Sequence, residues 1–189
     1  PFSAWVRGVN AHLPPSIAVR WAVEVGHDFH ARFSAISRRY TYWLLDRESR
    51  PGLFAGRVGW THLPMNVAAM HAGAQALVGT HDFSAFRAAQ CQAKSPIKTM
   101  HAISVRRVGA FIRIDAHANA FLHHMVRNIV GALVYVGAGK IPAAQIGHFL
   151  KEIDRKMAPP TFAPDGLYLC GIEYPPQFAL PESYVDTSP

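Results

Sequence analysis

Cysteine is scarce in this chain: Cys91 and Cys170 are the only two among 189 residues. They lie far apart and match no metal-ligand spacing. That excludes a disulfide scaffold and a thiolate zinc site, and it points to two free thiols in a reducing, cytoplasmic setting. Acidic residues are few as well. Twelve Asp and Glu face 19 Lys and Arg, giving a formal charge of +7 and a pI near 9.8. An excess of that size favours a polyanionic partner, nucleic acid before others. Fourteen of the basic residues are arginines, whose planar fork suits phosphate. No apolar run reaches membrane-spanning length; the longest, 129–138, is half what a span needs. There is no glycine-rich phosphate loop. Residues 1–10 read as a helix already under way, without the basic start and apolar core of a secretory leader.

What is present is a well-patterned globular chain, half hydrophobic and 11% aromatic. Residues 2–11 read as a helix. Residues 17–25 (Ile-Ala-Val-Arg-Trp-Ala-Val-Glu-Val) alternate and read as a half-buried strand, and 38–45 as a second strand rich in aromatics. Arg50-Pro-Gly-Leu-Phe is a turn. A helix is expected from Pro64 to about Leu77, stopped by Gly79, then a compact polar-aromatic loop over 80–87. Residues 99–107 and 110–118 form a hairpin pair turning at Val108-Gly109. Two further helices are expected, one from Phe121 through the 129–138 run and one from Ile141 to about Lys156. A short last strand covers 166–174, before a loose proline-rich tail. The economical packing is α+β: an antiparallel sheet with helices on one face.

The segment Phe121-Leu-His-His-Met-Val-Arg-Asn-Ile-Val-Gly131 raises a question of its own. Phe121, Met125, Ile129, Leu133 and Val136 mark a buried face, and Arg127 interrupts an otherwise apolar helix. A buried guanidinium cannot shed its charge, so it calls for an anionic partner. Gly131, one turn on, lets another backbone approach. Eleven histidines suggest a metal, but His27/His30, His117 and the adjacent His123/His124 lack the i,i+4 pair with an acidic base. A metal site is the weaker reading of these histidines; stacking, hydrogen bonding and RNA contact explain them better. Tyr40 and Tyr42 share one strand face, with Arg39 and Thr41 on the other. Two such rings pack an ordinary sheet, or offer a surface on which an extruded base stacks between phosphate-holding arginines.

Five blocks, in this order, resemble the tRNA pseudouridine synthase A family: Phe29-His-Ala-Arg-Phe-Ser-Ala35; Arg39-Tyr40-x-Tyr42; Gly79-x-His-Asp-Phe-Ser-Ala-Phe86; the 121–131 segment; and Gly166-Leu-Tyr-Leu169. The resemblance covers about residues 2–175. The resemblance implies a pseudouridine synthase fold, incomplete here, and isomerisation of uridines at positions 38, 39 and 40 of the tRNA anticodon arm. The base would be cut from N1, turned, and rejoined through C5, without cofactor or metal. It also implies a homodimer. By the family's pattern, Tyr40 stacks on the target base, Arg127 pairs with a catalytic aspartate, and Leu167 or, preferably, Leu169 packs under the site. His30, Arg32, Arg38, Arg39, Arg87 and His123 are expected on the RNA.

One block of the family, reading roughly Gly-Arg-Thr-Asp-x-Gly-Val-His and carrying that aspartate, is not found in these residues. Asp82 has the best surroundings of the aspartates present, but it matches another position and is expected to cap its own loop. The chain is therefore expected to be the C-terminal two-thirds of a synthase, inactive alone. Residues 1–26 would be a remnant of the N-terminal half, 27–176 the C-terminal half of the core, and 177–189 a tail. The second reading is a non-catalytic RNA-binding module derived from such an enzyme.

Overall fold

The computed structural model describes residues 2–188. Contacts divide them into two units, residues 2–35 with 174–182 and residues 36–173 with 183–188.

The smaller unit holds α1 (Phe2–His12). The strand expected over 17–25 does not form; that stretch is irregular, and Ile17, Trp21, Val23 and Val25 are exposed. Alternation prepares a chain for a sheet, but a strand exists only with a hydrogen-bonded neighbour. Here the Asn10 side chain takes both polar groups of Val19, accepting from its N–H at 2.7 Å and donating to its carbonyl at 2.8 Å. Phe29 packs its ring against Tyr174 and Phe178.

The larger unit is a six-stranded sheet with three helices on one face. Its strands are β1 (Ser37–Asp46), β2 (Gly59–Thr61), β3 (Gly79–Asp82), β4 (Ile97–Val108), β5 (Phe111–Ala118) and β6 (Leu167–Glu173). The order is β2-β1-β5-β4-β3. The free edge of β1 is shared: β6 pairs antiparallel with its first half and β2 parallel with Leu44–Asp46. The sheet is thus mixed rather than purely antiparallel. The parallel contact is short because β2 has only three residues. The expected hairpin is β4 and β5, turning at Gly109, whose φ of +56° suits glycine.

Alternation along β1 sorts its side chains. Tyr42 and Leu44 join Ile103, Val105, Ile112 and Ile114 in the main core, beneath α2 (Val67–Gln75), α3 (Met125–Gly137) and α4 (Gln145–Glu152). The helices start later than the sequence suggested. α2 begins after Asn66, whose side chain accepts from the Ala69 N–H at 3.0 Å. α3 begins after His124, and residues 121–124 lead into it as a turn. α4 is half the length expected. Thr80 and His81, read as loop, pair with β4, and Asp82 caps Ser84 as expected at 2.8 Å.

The opposite sheet face carries a small apolar cluster around Trp43, Leu45 and Val58, and a polar network. Arg113 stacks on Trp43 and pairs with Asp115 and Asp186. The tail is tied down there: the Val185 N–H donates to the Cys170 carbonyl at 2.8 Å, and Thr187 accepts from the Trp43 indole. Among the described residues no helix is long and apolar enough to cross a membrane.

Candidate active site

Tyr40 sits on the core face of β1, one alternation beyond the buried Tyr42. It is half-buried, with its ring edge-on to Phe121 at 5.1 Å between centroids. Burial pushes its hydroxyl above the ordinary value, and Arg38 on the same face opposes the shift. Arg38 is anchored to the Asn119 carbonyl at 2.8 Å.

Leu169 is the cross-strand partner of Tyr40. A bulge falls at this point: Cys170 is an extra residue between the Arg39–Gly171 and Tyr40–Leu169 pairs. The two candidate site residues therefore lie side by side on one face. Leu169 is 50% exposed, so the expected packing under the site is absent; the residue that joins the core is Leu167, opposite Tyr42. An exposed leucine beside the half-buried ring of Tyr40 offers an apolar platform rather than a filled floor.

Arg127 lies on the first turn of α3, and it is half-buried rather than buried. The sequence called for an anion. The partner observed is neutral: Nε donates to the Phe162 carbonyl at 2.9 Å. Among the described residues no carboxylate forms an ion pair with it. Burial raises the Tyr42 hydroxyl, the charge of Asp165 adds to that shift, and the charge of Arg127 opposes it. That hydroxyl donates to the Ala163 carbonyl at 2.9 Å.

Gly131 does what its position suggested. A Cβ there would meet the Pro160 carbonyl oxygen at 2.2 Å, so only glycine admits the 160–162 backbone. Asn128, 0% exposed, holds the same segment. It accepts from Thr161 at 2.6 Å and Arg155 at 3.2 Å, and donates to the Phe86 carbonyl at 2.7 Å. Sequence reasoning missed Asn128, although an asparagine inside an apolar helix carries the same signal as Arg127.

The entrance to α3 is strained. His124 has a left-handed backbone, φ +61°, uncommon for a residue with a side chain. Its ring stacks on that of His123 with centroids 3.9 Å apart. Burial, with the neighbouring His123 and Arg127, lowers its pKa, favouring neutral imidazole.

The remaining expected RNA contacts separate. Arg87 donates to the Cys91 and Ala93 carbonyls at 2.7 and 3.0 Å, holding its loop. Arg39 points to the opposite sheet face from Tyr40 and pairs with Glu173 at 2.7 Å. His30 and Arg32 belong to the smaller unit, where His30 Nδ1 accepts from the Arg32 N–H at 3.1 Å and its ring stacks on Phe33. Among the described residues no group of three or more His, Cys, Asp or Glu side chains is placed to hold a metal.

Residues 74–175 match a family model described as tRNA pseudouridine synthase. This stretch contains Arg127, Leu169 and the loop from Phe83 to Phe86. The chain belongs to the tRNA pseudouridine synthase family. Curated tRNA pseudouridine synthase A proteins are similar to it along almost its whole length. That of Chromobacterium violaceum is 58% identical over 181 residues, covering 96% of this chain and 69% of the relative. That of Aromatoleum aromaticum is also 58% identical with the same coverage. The Dechloromonas aromatica protein is 57% identical, covering 96% of this chain and 70% of its own. Members of this family are isomerases, and the mixed sheet with helices on one face fits their fold.

Proposed function

We propose that this chain provides the greater part of an enzyme that isomerises uridine to pseudouridine at positions 38, 39 and 40 of the tRNA anticodon arm. What carries the reading is 58% identity to a tRNA pseudouridine synthase A over 96% of the chain. Tyr40, Leu169 and Arg127 are proposed as the site residues, and residues 27–176 as the portion of the core that bears them.

Tyr40 offers the open part of a half-buried ring for the extruded base, and Leu169 extends that apolar surface across the strand pair. Arg127 engages one nitrogen with Phe162 and keeps its two terminal nitrogens for a carboxylate. The carboxylate it would hold is the family's catalytic aspartate, which serves the exchange of the N1 bond for the C5 bond. Arg32, Arg38, His30 and His123 are proposed on the RNA backbone. Arg39 and Arg87, engaged by protein partners, contribute positive potential. A homodimer acting in the cytoplasm completes the proposal.

Pseudouridine formation on an unmodified anticodon-arm transcript tests it. The chain would be assayed alone and fused to the part of the Chromobacterium violaceum relative that it does not cover. Product from the fusion supports the reading. RNA binding without product from either favours the module that only binds RNA.

A further inference from the structure

We propose that Arg155 is a positioning residue: through Asn128 and Thr161 it clamps the 158–162 segment onto α3 and so fixes the direction of the Arg127 guanidinium. The mechanical part stands on the geometry; its catalytic consequence rests on the reading of Arg127 given above.

Arg155 lies just beyond α4 and reaches four acceptors, all neutral. Nη1 donates to the Ala158 and Pro159 carbonyls at 2.9 and 2.8 Å. Nη2 donates to Asn128 Oδ1 at 3.2 Å and to Thr161 Oγ1 at 3.3 Å. Burial lowers its pKa, and no carboxylate offsets that shift. A guanidinium desolvated among neutral acceptors gains little net stability, so its role is sought in the geometry it imposes.

That geometry leads to Arg127. Asn128 is fully buried, and its amide is oriented without ambiguity: two donors meet Oδ1 and the Phe86 carbonyl meets Nδ2. Arg155 and Thr161 therefore attach the segment to a fixed point on α3, immediately after Arg127. Gly131 allows the Pro160 carbonyl to lie against the helix. The segment then closes on Arg127 itself: the Phe162 N–H donates to its carbonyl at 3.2 Å, and the Phe162 carbonyl accepts from its Nε. A shift of the segment moves the acceptor that aims the guanidinium. Displacement by an ångström at a reacting centre can cost about a hundredfold in rate.

The test follows the Arg127 Nε–H directly. Its ¹⁵N–¹H resonance is assigned by its loss in Arg127→Lys, and its exchange with water is measured in Arg155→Gln, Thr161→Val and Arg155→Lys. Exchange is expected to rise about tenfold or more in the first two, as a local opening would allow, and to recover in part in Arg155→Lys. If Arg155→Gln fails to fold, Thr161→Val, which removes a single hydroxyl, decides. Unchanged exchange in a folded variant overturns the proposal. The same variants in the fused enzyme should lose kcat with KM within about twofold, the pattern of a misaligned catalytic group. Faster exchange with kcat unchanged would leave the clamp standing and reject the catalytic reading of Arg127.

Discussion

Arg127 and Phe162 are joined in both directions: the arginine Nε donates to the phenylalanine carbonyl at 2.9 Å, and the phenylalanine N–H donates back to the arginine carbonyl at 3.2 Å. A side chain on a helix's first turn is thereby tied to a loop 35 residues later. The guanidinium is held by one edge through Nε, and among the described residues no carboxylate pairs with its terminal nitrogens. An arginine serving only to neutralise a buried carboxylate of its own fold would be paired within the fold, as Arg107 is with Asp46.

Arg127→Lys should therefore keep a positive charge but lose the fixed fork. In the fused enzyme its kcat/KM is expected to fall by about a hundredfold or more, while the melting temperature changes little. Steady-state pseudouridine formation checks this. Near-normal turnover would remove Arg127 from the chemistry.

Tyr40→Phe retains the ring and its edge-on contact with Phe121. Binding of the anticodon arm should stay within about twofold, with turnover reduced about tenfold or more if the hydroxyl assists proton transfer. Filter binding and single-turnover assays on one preparation separate the two. Loss of binding would mean that the hydroxyl grips RNA.

Arg32→Ala should weaken RNA binding and reduce the slope of log K against log salt by about one. Titrations at several salt concentrations measure it, and an unchanged slope would take Arg32 off the phosphates.

Gly131→Ala places a methyl group where the Pro160 carbonyl oxygen lies 2.2 Å away. The segment must move, and destabilisation of about 1–3 kcal/mol is expected from overpacking. Urea unfolding would reveal it, and an unchanged midpoint would mean that the segment yields freely.

Asp46 gives a pH dependence. Burial pushes its carboxyl up, but the Arg107 hydrogen bonds and the Met65 N–H outweigh this and hold it below the ordinary carboxylate range. A carboxyl depressed on folding stabilises fully above its unfolded value, and that contribution is lost as pH falls through the folded one. Stability should drop as pH falls below about 4, the ordinary range for aspartate, and Asp46→Asn should flatten that part of the curve. Denaturant titrations from pH 6 to 2 compare them; parallel curves would remove Asp46 as the cause.

Much of this protein was legible in the chain because it depends on local pattern. Alternation over 38–45 placed Tyr40 and Tyr42 on one face and Arg39 on the other, and β1 keeps that division. The hairpin needed only Gly109 between two alternating runs. Arg127 and Gly131 stood out because each breaks an apolar helix. Five ordered blocks were enough to indicate the family that the whole-chain comparisons establish.

Other features required the third dimension. Residues 17–25 alternate as cleanly as 38–45, yet one stretch is irregular and the other is a strand, because pairing needs a partner that periodicity cannot supply. The hydrogen-bond partner of Arg127 is Phe162, remote in sequence and marked by no pattern. Leu169 and Leu167 differ by two positions and share a face, but only the sheet decides that one is exposed and the other joins the core. Sequence by itself set the residue types, their periodicity and the family. The tertiary structure chose the partners, because hydrogen bonds and packing join residues by position in space, whatever their separation along the chain.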